Sequence, residues 1–184
     1  MISFQIQAQN KVLSKNSTLT VFVDVKSKLP LQQSFEYIVP MDLEHIFKRY
    51  KNLPAVIKTS NKKAWYTAGM TRTVFFDDGT SSEETLLSID PHSSFNYKVN
   101  GFTNSLRFLI KQINGRWTFK DVGQDTIRIE WTYEIVPKHY MAKSLIDFAV
   151  KRQVKILMTN ALNIMKEELE SGNLYRYERS VGNW

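Results

Sequence analysis

The chain contains no cysteine. That absence excludes a disulfide framework, a thiolate nucleophile and a thiolate metal site. No apolar run approaches the ~20 residues that a membrane-spanning helix requires. The opening residues Met1-Ile2-Ser3-Phe4-Gln5-Ile6 lack the charged and apolar regions of a secretory signal. A soluble cytoplasmic protein is the expectation. Catalytic signatures are missing as well: no Gly-rich phosphate loop, no H-E-x-x-H and no G-x-S-x-G elbow. The three histidines, His45, His92 and His139, fall in three separate segments. A metal centre would have to gather ligands from distant elements, so no metal and no cofactor is expected. His45 reads as a surface helix residue and His92 as a turn residue. His139 stands at the junction before the last helix, near a cavity mouth. There is no internal repeat and no low-complexity segment.

Acidic residues are absent from one stretch. Between residues 48 and 63 stand Lys48, Arg49, Lys51, Lys58, Lys62 and Lys63 with no carboxylate among them, in a chain of net charge +7. Two readings stay open: a patch attracting an anionic lipid or membrane surface, or a solvated face of a basic protein. Nucleic acid is not the expected partner, because no recognition motif accompanies the charge.

What the sequence does have is strand periodicity followed by helix periodicity. A length of 184 residues fits one domain with a sizeable core. From Gly69 to Val136 the pattern is an antiparallel meander. Asp78-Gly79 marks a tight hairpin, and Asp90-Pro91, Asn100-Gly101 and Asn114-Gly115 read as further turns. Ile127, Ile129, Trp131, Tyr133 and Ile135 alternate strictly with polar residues, which puts them on one face of a half-buried strand. Leu19, Val21, Val23 and Val25 alternate likewise and predict a strand over Thr18–Lys26. Ser3–Ala8 reads as a shorter strand. Leu31–Val39 reads as a strand ended by Pro40, and Asp42 as the N-cap of a short helix Leu43–Tyr50. A second helical turn is expected at Ala55–Lys58. Over Met141–Glu170, Ile146, Val150, Val154, Leu157, Ala161, Met165 and Leu169 recur at three- and four-residue steps, one stripe of a long helix.

In order and spacing, Gly69-Met70-Thr71-Arg72, Asp78-Gly79, Glu84-Thr85-Leu86, Phe95-Asn96-Tyr97-Lys98-Val99, Gly115-Arg116-Trp117 and Thr126–Thr132 resemble the polyketide cyclase/dehydrase branch of the START-like (Bet v 1-like, SRPBCC) superfamily. Phe35–Phe47 is similar to that family's first strand and first helix, with Phe47 where the family usually has Trp. The resemblance covers roughly residues 31–170. Residues 1–30 stand as an N-terminal extension and 171–184 as a tail, all within one domain.

The resemblance implies an α+β helix-grip fold: a curved antiparallel sheet around a long C-terminal helix, enclosing a cavity for a hydrophobic small molecule. The ligand-contacting set expected from strand alternation and helix position is Arg72, Glu84, Tyr97, Trp117, Trp131 and Tyr133 on the sheet, with Phe148 and Arg152 opposite on the helix. Arg72 on an inner face needs a partner, and Glu84 on the next strand is the candidate. The pair is either structural or an anchor for a ligand's acid group. Three function classes remain open: binding or transport of a lipid, quinone or polyketide-like compound; a cyclase, dehydratase or hydrolase using Arg72, Glu84, Tyr97 or His139; and a protein-interaction module.

Overall fold

The computed structural model describes residues 18–39, 42–61 and 65–175. The short strand expected at Ser3–Ala8 lies outside them. Seven strands form one antiparallel sheet: β1 (Leu19–Ser27), β2 (Val56–Thr59), β3 (Thr71–Phe76), β4 (Ser81–Asp90), β5 (Ser94–Asn100), β6 (Ile110–Asp121) and β7 (Ile127–Pro137). Their order across the sheet is β1-β7-β6-β5-β4-β3-β2. Strands consecutive in the chain pair antiparallel from β2 to β7. β1 joins from the N-terminal side and pairs along its whole length with β7, from Leu19 opposite Ile135 to Ser27 opposite Ile127.

Helix α1 (Leu31–Ile38) follows β1. A long helix, α2, is the last element of the described residues and runs in three consecutive stretches: Tyr140–Leu145, a π turn Ile146–Val150, and Lys151–Ser171. It packs on the sheet's inner face and ends at Gly172, whose left-handed φ of 73° supplies the C-cap. Ala142, Ile146, Val150 and Val154 are all buried, at intervals of four. In a straight α-helix a four-residue step drifts by about 40° around the axis. The π turn, with wider i→i+5 bonding, takes up that drift and keeps all four inward.

Four local expectations are corrected. Leu31–Val39 is not a strand: Leu31, Ser34, Phe35 and Ile38 turn inward at spacing i, i+3, i+4, i+7, and Pro30 suits the position before a first helical turn. The strand and helix expected within residues 35–47 are therefore not found there; the strand and helix at this end of the described chain are β1 and α1. Leu43–Tyr50 is a run of turns ending in a Tyr50–Leu53 bridge. Asp42 caps no helix there; it accepts a hydrogen bond from Thr59 Oγ1 at 3.4 Å. Ala55–Lys58 contributes to β2, where a bulge at Ile57 lets both Val56 and Thr59 face inward.

Asn114-Gly115 is no turn either. Gly115 lies in the middle of β6, opposite Tyr97 of β5. A Cβ built there would come within 2.5 Å of both Cε atoms of the Tyr97 ring. The glycine is required by space, not by backbone conformation: it lets the ring lie flat across the sheet. Gly115→Ala should cost ~1–3 kcal/mol by overpacking. Tyr97→Leu in the same chain should recover part of that loss in a double-mutant cycle. Independent, additive losses in urea unfolding would show that ring and glycine do not compete for the same space.

Candidate functional site

Period-two alternation on β3, β4, β5, β6 and β7 delivers one polar–aromatic group to the inner face. Arg72 and Glu84 are directly opposite on β3 and β4. Arg72 Nε and Nη2 both donate to Glu84 Oε2, each at 2.6 Å. The side chains are only 3% and 6% exposed. The guanidinium lies 4.2 Å from the ring centre of Trp65, a cation–π contact. Trp131 stacks on Trp117 at 4.3 Å and donates from Nε1 to Tyr97 Oη at 2.8 Å. Tyr97 and Tyr133 share a hydrogen bond. Burial, with the Glu84 charge as a further cause, pushes both phenols well above their ordinary range. They stay protonated hydrogen-bond donors throughout the usual pH range.

All six sheet residues expected from the sequence therefore meet. Arg72, Glu84, Tyr97, Trp117, Trp131 and Tyr133 line one cavity of about 30 Å³, closed by Trp65, Phe95, Met165, Ile38, Val39, Leu43, Ile46 and Phe47. A second, almost wholly apolar pocket of about 120 Å³ adjoins it. Leu43, Phe47, Glu84 and Tyr133 line both. The apolar pocket continues between Val74, Val99 and Ile113 of the sheet, Phe102 and Leu106 of the β5–β6 loop, and Val154, Leu157 and Met158 of α2. Among the described residues that line the small cavity, two buried donors have no acceptor: Arg72 Nη1 and Trp65 Nε1.

The helix half of the expected set is corrected. Phe148 is 90% exposed, and Arg152 is exposed too. Each lies two residues from inward-facing Val150, which puts it roughly on the opposite side of the helix. The wall facing the sheet is made by Val154, Leu157, Met158 and Met165 instead. Trp65 escaped sequence reading because it sits in an irregular segment without periodicity. Its only signal was an aromatic pair, Trp65-Tyr66, interrupting a polar stretch.

The histidines fall outside this cavity. His139 caps α2, its Nδ1 accepting from Ala142 N at 3.2 Å. His92 takes a left-handed turn conformation, φ 60°, between β4 and β5. His45 is no surface helix residue. Its Nε2 is 2.6 Å from Glu168 Oε1, its ring stacks on Tyr175, and Tyr37 Oη donates to the other oxygen of Glu168 at 2.6 Å. Burial lowers the His45 pKa despite the opposing Glu168 charge. Of the basic run, Lys48, Arg49, Lys51 and Lys58 are exposed, and Arg49 is held by both oxygens of Asp77. Lys62 and Lys63 lie outside the described residues.

Compared by sequence, the chain matches no family profile and no curated protein. Compared by structure, it resembles several solved proteins over most of its length. It superposes on Ara h 8.0201 with a TM-score of 0.62 at 15% identity, covering 84% of this chain and 99% of that one. A norcoclaurine synthase point mutant from Thalictrum, solved with a transition-state analogue, gives 0.61 at 12% identity, covering 85% and 96%. The fold is the Bet v 1-like helix-grip. DynU16, from the dynemicin biosynthetic locus, gives 0.56 at 16% identity, with 86% of this chain spanning half of that one. At such identities a helix-grip likeness carries architecture, not chemistry. It fixes where the sheet and the long helix enclose space, and that is where the Arg72–Glu84 group and its aromatic neighbours stand.

Proposed function

We propose that this helix-grip protein binds a compact hydrophobic molecule carrying an uncharged hydrogen-bond acceptor, such as a carbonyl oxygen, between its sheet and α2. The observation that carries this reading is the pair of unpartnered buried donors, Arg72 Nη1 and Trp65 Nε1, beside an apolar pocket. A buried donor without an acceptor costs about 1–3 kcal/mol. A ligand oxygen, or the water it displaces, relieves that cost.

The acceptor is uncharged for an electrostatic reason. Glu84 already neutralises Arg72. A ligand carboxylate would add a second negative charge beside Glu84 in a low-dielectric interior. Size limits the body of the ligand. A pocket of about 120 Å³ is near the ~150 Å³ that accepts benzene and below the ~300 Å³ of typical drug-sized sites. A ring-sized ligand fits as the walls stand. A lipid, long-chain quinone or polyketide would require α2 or the β5–β6 loop to move outward.

The second reading is catalysis of the cyclase or dehydratase kind, within the polyketide cyclase/dehydrase branch. One of the Tyr97 and Tyr133 O–H groups donates to the other phenol, and the remaining one, held protonated, can donate to a carbonyl oxygen as negative charge builds on it. The cavity carboxylate, Glu84, is bonded to Arg72 and makes a poor base. Binding is therefore the reading we favour.

Three probes of similar shape test it by calorimetry: acetophenone, benzoate and ethylbenzene. Acetophenone should bind about tenfold more tightly than ethylbenzene, the equivalent of one good hydrogen bond. Benzoate should bind more weakly than acetophenone. Trp65→Phe keeps an aromatic ring but removes one donor, and should erase part of the preference for acetophenone while leaving ethylbenzene unchanged. Equal affinities for acetophenone and benzoate would overturn the uncharged-acceptor reading. No saturable binding of any probe would overturn the cavity as a ligand site.

A further inference from the structure

The start of α2 presents an apolar face outward. Tyr140 is 82% exposed, Met141 76% and Phe148 90%, and Leu145 is more than half exposed. Met141, Leu145 and Phe148 stand at i, i+4 and i+7, a stripe on one side of the helix. It lies beside the buried stripe of Ala142, Ile146 and Val150, about a quarter to half a turn around the helix. A third exposed aromatic, Phe108, belongs to the same end of the molecule. Leu109 O accepts from Lys138 N at 2.8 Å, which ties the β5–β6 loop to the residues just before α2.

Isolated exposed apolar side chains are ordinary, but five large ones on two joined segments form a patch. The charges around them identify what the patch meets. Segments 105–111 and 138–152 contain Arg107, Lys111, Lys138, Lys143, Lys151 and Arg152. They contain one acid, Asp147, which pairs with Lys151.

We infer that this end of the molecule docks on the surface of an anionic phospholipid bilayer. Tyr140, Met141, Leu145, Phe148 and Phe108 enter the headgroup–acyl boundary, and the lysines and arginines meet lipid phosphates. Aromatic and aliphatic side chains flanked by cations on long stems are the composition of an interfacial helix face. The helix lies on the membrane and does not span it: among the described residues no helix is long and apolar enough to cross one. A second copy of the chain is a poor occupant. A two-fold contact of this patch with itself would set the cation excess of one copy against the same excess of the other. The basic run near residue 48 is the weaker surface, because Arg49 is already bonded to Asp77.

The position of the patch bears on the cavity. The β5–β6 loop that carries Arg107 and Phe108 also supplies Phe102, Asn104 and Leu106 to the rim of the apolar pocket. The helix wall of that pocket begins at Val154, six residues after Phe148. Docking through the patch brings that rim toward the bilayer, the phase in which an apolar ligand is concentrated. The docking itself does not depend on the ligand.

Vesicle flotation tests it, using phosphatidylcholine alone or mixed with phosphatidylglycerol. The protein should float with the mixed vesicles at low salt, and much less with phosphatidylcholine alone or at high salt. Lys143→Gln and Arg152→Gln should each weaken partitioning about fivefold, the equivalent of ~1 kcal/mol per cation near the surface. Phe148→Ser should weaken it about tenfold with unchanged thermal stability, since that ring packs on nothing inside the protein. Failure to float with anionic vesicles at low salt would overturn the inference. So would flotation unaffected by all three substitutions. Self-association in sedimentation that Phe148→Ser abolishes would assign the patch to a second copy instead. None of these variants touches the cavity, so probe binding and flotation fail independently.

Discussion

Glu84→Gln should destabilise the protein by ~3–5 kcal/mol, and Arg72→Met by a similar amount, in urea unfolding. Each substitution strands a charge in a space largely cut off from bulk water. The two side chains are 3% and 6% exposed and meet at 2.6 Å through two hydrogen bonds to one carboxylate oxygen. Their Coulomb attraction offsets desolvation only while both are present. The double change Arg72→Met with Glu84→Leu should be much less harmful than either single change predicts by addition, because it removes both charges together. Single losses below ~1 kcal/mol would mean that water reaches the pair. The same variants separate structure from binding. If the double variant folds well yet no longer prefers acetophenone over ethylbenzene, the pair positions a ligand. If it keeps that preference, the pair is structural.

Trp131→Ala should cost ~3–5 kcal/mol as well, for a different reason. Trp131 is 1% exposed, stacks on Trp117 and meets Phe47 and Tyr133 edge to face. Removing its ring leaves a void among Tyr97, Trp117 and Tyr133, held by the sheet, and Phe47 of the run of turns. Packed interiors relax only partly, so most of the lost contact is not recovered. Trp131→Phe tests the polar part. It keeps a ring but leaves Tyr97 Oη without its donor, and should cost more than lost area alone implies, by ~0.5–1.5 kcal/mol. Near-ultraviolet circular dichroism offers a second readout, since close stacking of Trp117 and Trp131 couples their transitions. A stable Trp131→Ala protein with an unchanged near-ultraviolet spectrum would refute the central place given to this stack.

Strand alternation from β3 to β7 was legible because side chains at period two report directly on which face is buried. Leu19, Val21 and Val23 gave β1 in the same way, and the i, i+3, i+4 stripe from Ile146 to Leu169 gave α2. The opposition of Arg72 and Glu84 across β3 and β4 also followed from alternation and one hairpin. Segments with two plausible periods were misread. Leu31–Val39 carries apolar residues that fit either period, and only packing against the sheet selects the helix. Asn114-Gly115 has the local chemistry of a turn. The ring of Tyr97 on the neighbouring strand is what demands a residue without Cβ there.

The sequence by itself determined which strand residues point inward, and so the chemistry lining the cavity. That information is local: it resides in the alternation of neighbours along one strand. Only the tertiary structure decided which side of α2 meets the sheet at each level. The π turn keeps Ala142 and Ile146 in line with Val150 and Val154, and Phe148, two residues from both Ile146 and Val150, faces out and forms no cavity wall. Only the tertiary structure brought Trp65 to the guanidinium of Arg72 and left two buried donors facing one cavity. Such contacts join residues from an irregular segment to a strand. No periodicity encodes them, because their distance is set by how sheet, loop and helix close on one another.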